Sequence, residues 1–263
     1  MPQEIVLVTV PPQHCRALSG RSVTPAHLAY RIGPDGRLLR AGGNPRGGRM
    51  VLSDCGFSGM PDPAPLLREI LSECRVREFS GVILDFDRRL PPLEQLAVRL
   101  ESALRRHGLS LTVPEGYGHC AGESGVIIPA ALSGGTLTQR LEDACRQFGR
   151  DRVVLGLEQT AEDFLLPSPT GCGTPLTQEE LTALRERIRP SVFFSQELCA
   201  RYFTYTEQGR GHFVLFDDGD TLRRKADAAR AAGISAFLLP WTLLDAFNLF
   251  QAQASPRKNG PFP

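Results

Sequence analysis

Short apolar runs alternate along this chain with longer stretches in which apolar residues recur at helical spacing. The first run, Glu4 to Val10, is β-branched and closed by Pro11 and Pro12, which predicts a strand buried on both faces. His27 to Ile32 reads as a second strand, with a tight turn over Gly33-Pro34-Asp35-Gly36 and a return through Arg37 to Arg40. Met50 to Asp54 is a third, and Leu66, Leu67, Ile70, Leu71 and Cys74 mark the helix after it. Gly81 to Asp87 is a fourth, followed by a helix carrying Leu93, Leu96, Ala97, Leu100 and Leu104 that Gly108 stops. Leu109 to Val113, Gly125 to Ala131 and Arg152 to Leu157 predict three more strands, with a helix over about 136–148. Thr177-Gln178-Glu179-Glu180 has the form of a capping box opening a helix, and Thr221 to Ala232 forms another, which Gly233 ends before the last strand, Ile234 to Leu239. Tyr202 to Thr206 and His212 to Phe216 read as a hairpin excursion, a reading compatible with Tyr202, Phe203 and Tyr205 lining a groove.

Nearly all-apolar strands trading places with helices describe a parallel sheet covered on both faces. The predicted fold class is α/β, a single (β/α)8 TIM barrel over residues 1–250, with 251–263 a flexible tail. An open doubly wound sheet is the alternative, but no strand leads into G-x-G-x-x-G or a P-loop, and the glycine-rich loop 42–48 matches neither phosphate motif. No cofactor is expected.

Composition narrows the partners. Thirty Lys and Arg against 29 Asp and Glu leave a net charge of +1, which gives no reason to expect nucleic acid or an anionic membrane. No apolar run approaches the roughly 20 residues of a membrane helix, and no leader-like segment opens the chain, so a cytoplasmic protein is expected. The seven cysteines are widely spaced without a C-x-x-C pair, which predicts reduced thiols and no metal site.

In such a barrel, chemistry sits where the strands' C-terminal ends emerge. Side-chain alternation places Gly81, Ile83, Asp85 and Asp87 on one face, so two carboxylates share the mouth. Neighbouring carboxylates push each other's pKa apart, leaving one protonated for acid work beside an ionised partner, as in glycosidases. The alternative is a pair satisfied by Arg88, Arg89 or loop amides. Glu115 and Glu158 follow the fifth and seventh strands, Tyr117 and His119 share the loop of Glu115, and Trp241 follows the last strand, where its ring either stacks on a pyranose or packs as a core aromatic under Leu243, Leu244 and Phe247.

Several segments resemble the glycoside hydrolase family 18 barrels, particularly the chitinase and spore peptidoglycan hydrolase branches. Phe79-Ser80-Gly81-Val82-Ile83-Leu84-Asp85-Phe86-Asp87 is similar to the family's D-G-x-D-x-D-x-E signature. His27 to Tyr30 resembles its second strand and Val51 to Gly56 its third, while Arg201 to Tyr205, His212 to Asp218 and Leu239-Pro240-Trp241 follow the order of its last loop, helix and strand. The likeness implies hydrolysis of a β-linked amino-sugar glycan, a chitooligosaccharide or peptidoglycan fragment. It implies Asp87 in the general-acid position with Asp85 as its retained partner, and it adds Tyr30 and Trp241 to Glu115, Tyr117 and Glu158, which strand-end position already marks, as substrate-binding candidates. Asp87 stands where the family has Glu, one methylene longer; Ser80 and Ile83 replace two signature acids, and Ile127 to Ala130 stands where the family has a Tyr-Asp pair. These departures fit the alternative of a carbohydrate-binding barrel without turnover. A barrel enzyme of different chemistry, using Glu115, Glu158 or His119, is the third reading.

Overall fold

The computed structural model describes residues 4–59, 62–132, 134–168 and 171–246. Eight parallel strands close a barrel: β1 (Ile5–Val10), β2 (Thr24–Ile32), β4 (Arg49–Ser53), β5 (Gly81–Asp85), β6 (Ser110–Pro114), β7 (Gly125–Pro129), β8 (Val153–Gly156) and β14 (Ala236–Pro240). β1 closes the ring by pairing with β14 on one side and β2 on the other. The short β3 (Leu38–Arg40) returns antiparallel along β2, as the Gly33 to Gly36 turn predicts.

Strand alternation divides the apolar residues between two layers. Leu7, Ala26, Val51, Ile83 and Val154 fill the barrel interior, with Ile127, Ala236 and Leu238 packed against them. Their neighbours, among them Val8, Leu52, Leu84 and Leu155, point outward into the larger core beneath the helices. Those helices are α1 (Ala64–Arg77), α2 (Pro91–Arg106), α3 (Leu137–Phe148) and α5 (Gly219–Ala231). α3 and α5 carry side-chain caps at Thr136 and Asp218, satisfying N–H groups that a helix leaves orphaned at its start. One glycine is demanded by the wall itself. A Cβ on Gly81 would lie 2.2 Å from Ser110 Oγ and 2.4 Å from the Ser110 carbonyl oxygen.

Two connections are shorter than the expected alternation. Between β1 and β2 runs a 3-10 stretch, Pro12–Leu18, opened by its proline pair, and between β6 and β7 only a single 3-10 turn, Glu115–Tyr117. β4 and β5 end at Ser53 and Asp85, so Asp54 and Asp87 lie beyond the strands that the sequence pattern assigns to them. The predicted tail, 251–263, lies outside the described residues.

After β8 the chain leaves the barrel for an antiparallel sheet of β9 (Ala161–Leu166), β10 (Thr174–Pro175), β11 (Phe193–Ser195), β12 (Ala200–Glu207) and β13 (Arg210–Phe216). The predicted hairpin is present as β12 and β13, Tyr205 opposite His212. Its remaining strands have no counterpart in the sequence pattern: Asp163 to Leu166 pairs with β13 as part of β9. The helix α4 (Gln178–Ile188), opened by the Thr177 and Glu180 capping box, lays Leu181 and Leu184 on Phe203, Val214 and Phe216. This core is distinct from those of the barrel. Where the excursion rejoins, Asp217 is buried and accepts from Lys225 Nζ at 2.7 Å, Thr221 Oγ1 at 2.9 Å and Thr160 Oγ1 at 3.0 Å.

Candidate active site

The C-terminal ends of the barrel strands enclose a cavity of about 290 Å³. Its wall is mostly apolar, with Leu28, Ile127, Pro129, Ala130, Leu157 and Leu239 among the lining residues. Thr9, Asp85 and Glu158 supply its polar side chains. Asp85 ends β5 on the inward face set by Ile83, as alternation predicts, and Glu158 follows the end of β8. Solvent reaches Asp85 through the mouth, yet burial among wall atoms pushes its carboxyl above the ordinary aspartate range, and the charges of Asp87, Glu158 and Asp54 push the same way. The geometry thus concentrates carboxylates around a carboxyl that holds its proton more firmly than a free aspartate. A neutral carboxylic acid beside ionised ones can deliver a proton to a bound ligand.

Asp87 is exposed and is not part of the cavity wall. The turn that bears it is held from below by Asp54, which is 1 % exposed. Asp54 Oδ1 accepts the Asp87 N–H at 3.1 Å, and Oδ2 accepts the Arg88 N–H at 3.4 Å and Arg88 Nε at 3.3 Å. The Arg88 guanidinium also donates to the carbonyls of Asp54 at 3.2 Å and Phe57 at 2.8 Å. One buried carboxylate and one arginine therefore lock the loops after β4 and β5 together. Arg88 is thus engaged with Asp54 and Arg89 with Glu94, not with the Asp85 and Asp87 pair that the sequence alternative assigned to them.

The remaining candidates are dispersed. Glu115 is ion-paired with Arg140 of α3 and does not line the cavity. Tyr117 is buried, donates its hydroxyl to the Arg88 carbonyl and stands edge-on to Phe86; burial pushes its pKa up to about 12. It braces the Asp87 turn from outside the cavity. His119 contacts Arg89, which pairs with Glu94. Trp241 is half-buried against the core with its ring stacked on His14, centroids 4.3 Å apart.

Tyr30 faces away from the mouth. Between His27 and Tyr30, β2 carries one more residue than β4: His27 pairs with Met50, but Tyr30 pairs with Leu52. This bulge turns Tyr30 outward, where it packs edge-on against Phe79 and donates to Glu73 of α1 at 3.0 Å. The same slip brings Arg31 opposite Ser53 on the inward-facing row, next to Asp85 one strand further on. Sequence reading missed Arg31 and Asp54. The second had a signal in Ser53-Asp54-Cys55-Gly56, an acid at the end of an apolar run before a glycine.

Among the described residues no three His, Cys, Asp or Glu side chains are grouped to hold a metal ion. No helix among them is long and apolar enough to cross a membrane.

No family model and no curated protein sequence matches the chain. Solved structures match its fold over most of its length. A chitinase from Chromobacterium violaceum is similar with a TM-score of 0.70 at 17 % identity, over 97 % of this chain and 100 % of that one. A spore cortex-lytic enzyme from Bacillus megaterium gives 0.65 at 15 % identity, over 93 % and 74 %. A mutant class V chitinase from Nicotiana tobaccum, solved in complex with NAG4, gives 0.68 at 11 % identity, over 96 % and 99 %. The chain shares the closed eight-stranded parallel barrel of these chitinases and spore cortex-lytic enzymes.

Proposed function

We propose that this chain is a glycoside hydrolase of the family 18 type that binds a β-linked amino-sugar glycan in the barrel mouth and cleaves it by proton donation from the Asp85 and Asp87 pair. The observation that carries the reading is Asp85, which lines the cavity while burial and three neighbouring carboxylates raise its hold on a proton. The protonated carboxyl gives its proton to the glycosidic oxygen as the bond from that oxygen to the anomeric carbon breaks, and neighbouring carboxylates stabilise the positive charge that develops on the sugar ring. Water then adds to the anomeric carbon and returns a proton to the carboxylate. Asp87, in the acid position implied by the family resemblance, sits one turn beyond and tunes Asp85 by its charge. The chitinase and cortex-lytic neighbours support an amino-sugar substrate, chitooligosaccharide or peptidoglycan fragment. Cys15, Cys55, Cys74, Cys120, Cys145 and Cys199 all carry free thiols, which supports work in the reducing cytoplasm on released fragments.

A second reading, a glycan-binding barrel without turnover, is favoured by the wall between β7 and β8. Ile127, Pro129, Ala130 and Leu157 offer no side-chain polar group there to align an acetamido group. Mass spectrometry of chitooligosaccharides and peptidoglycan fragments incubated with the protein separates the two. Shorter products that disappear in Asp85→Asn support the hydrolase and its acid, and loss confined to Asp87→Asn moves the acid to Asp87. Bound but intact oligosaccharides leave the binding barrel standing, and no binding at all overturns both.

A further inference from the structure

Among the described residues, Arg31 is a cation at the rim of the mouth with no ion-pair partner. The β2 bulge turns Arg31 onto the inward-facing row beside Ser53 and Asp85. Its Nη1 lies 3.9 Å from where a Cβ on Gly56 would stand, so the guanidinium rests over the turn after β4. Arg88 engages Asp54 in that same turn, and Arg89 pairs with Glu94. Arg31 is exposed, and among the described residues no carboxylate lies within ion-pair distance of it. Two strand spacings of about 4.8 Å separate the backbone of Arg31 from that of Asp85, which leaves room for a sugar unit between the guanidinium and the acid.

Charge decides what such a group is suited to meet. Asp87 and Glu158 add negative charge to the mouth beside Asp85, so an anionic glycan is repelled unless a cation receives its charge, whereas a neutral glycan gains only ordinary hydrogen bonds from Arg31. A guanidinium presents a planar fork that matches a carboxylate with two parallel hydrogen bonds. We propose that Arg31 is a specificity residue that receives a carboxylate carried by the sugar, so that the substrate is an acid-substituted amino-sugar glycan, such as one bearing the lactyl ether of muramic acid, rather than neutral chitin. This rests on the glycan reading of the same mouth.

Native mass spectrometry of the full chain tests it with three ligands: chitotetraose, the tetrasaccharide of alternating N-acetylglucosamine and N-acetylmuramic acid, and the methyl ester of that tetrasaccharide. A charge-assisted pair predicts the free acid to bind about ten- to hundredfold more tightly than its ester. Arg31→Gln brings that ratio toward one, and Arg31→Lys, which keeps the charge but loses the fork, retains part of it. Unaltered melting of both variants confirms that they fold. An acid-to-ester ratio near one in the unmodified protein, or one that Arg31→Gln leaves as it was, overturns the role of Arg31 while leaving the glycan cleft in place. If none of the three ligands binds, the cleft reading itself falls and Arg31 with it.

Discussion

Replacing Asp54 by Ala probes the clamp that holds the mouth's acidic turn. The substitution deletes acceptors for the Asp87 N–H at 3.1 Å, the Arg88 N–H at 3.4 Å and Arg88 Nε at 3.3 Å. The first is a sound bond and the second a long one, so together the two amides account for about 1–3 kcal/mol, the cost of donors left unpaired. The Arg88 side chain is 49 % exposed and keeps its bonds to the Asp54 and Phe57 carbonyls. Water can therefore rehydrate its charge, and the ion pair adds only about 1 kcal/mol. The expected destabilisation is about 2–4 kcal/mol, or a melting point lower by roughly 4–16 °C at 2–4 °C per kcal/mol. Asp54→Asn keeps one carbonyl acceptor and loses about half as much. Urea unfolding followed by circular dichroism reads the change as a shifted midpoint at constant slope. Turnover measured well below the melting point reads whether Asp87 has moved, with an expected loss of tenfold or more. An Asp54→Ala protein within about 0.5 kcal/mol of wild type, a change typical of an ordinary surface site, would refute the clamp.

Three further outcomes follow from the same structure. Folding raises the Asp85 pKa, so the stability carried by its protonated form is full below the ordinary aspartate range and is lost as pH rises through the folded value. Asp85→Asn is therefore more stable than wild type at neutral pH, and calorimetry across the acid range should show the gap closing on acidification. Lys225→Ala strands the buried Asp217 carboxylate without its cation and costs about 3–5 kcal/mol in urea unfolding, whereas Lys225→Met with Asp217→Asn recovers most of it. Gly81→Ala drives a Cβ into the Ser110 backbone and costs about 3 kcal/mol or more, while Gly116→Ala, with nothing within 4 Å, is tolerated in the same assay.

The barrel was legible because its strands, buried on both sides, read as unbroken apolar runs and its helices as periodic ones. Asp85 was legible for the same reason: alternation from Ile83 fixes its side of the wall. Alternation failed where the backbone departs from it. One extra residue in β2 exchanges the sides of Tyr30 and Arg31, and nothing in His27 to Ile32 marks the bulge. β5 stops at Asp85, so the parity that joined Asp87 to it no longer holds beyond the strand. Tyr117 and Asp54 depend on partners far along the chain, the Arg88 carbonyl and two loop amides, which local pattern does not reveal. The excursion was half visible, since β12 and β13 flank a Gly-rich turn, whereas β9 pairs only after 40 or more residues of intervening chain.

The separate core of that excursion has a consequence for how the molecule opens and diversifies. Leu181, Leu184, Phe203, Val214 and Phe216 bury one another without drawing on the barrel's own layers. Such a unit can unfold sub-globally, exchanging its β12 and β13 amide hydrogens together and earlier than those of the barrel strands. For the same reason its surface loops can be lengthened, shortened or replaced while the eight strands keep their register. The barrel would then act as a chassis, and the excursion as the part on which new shapes can be tried.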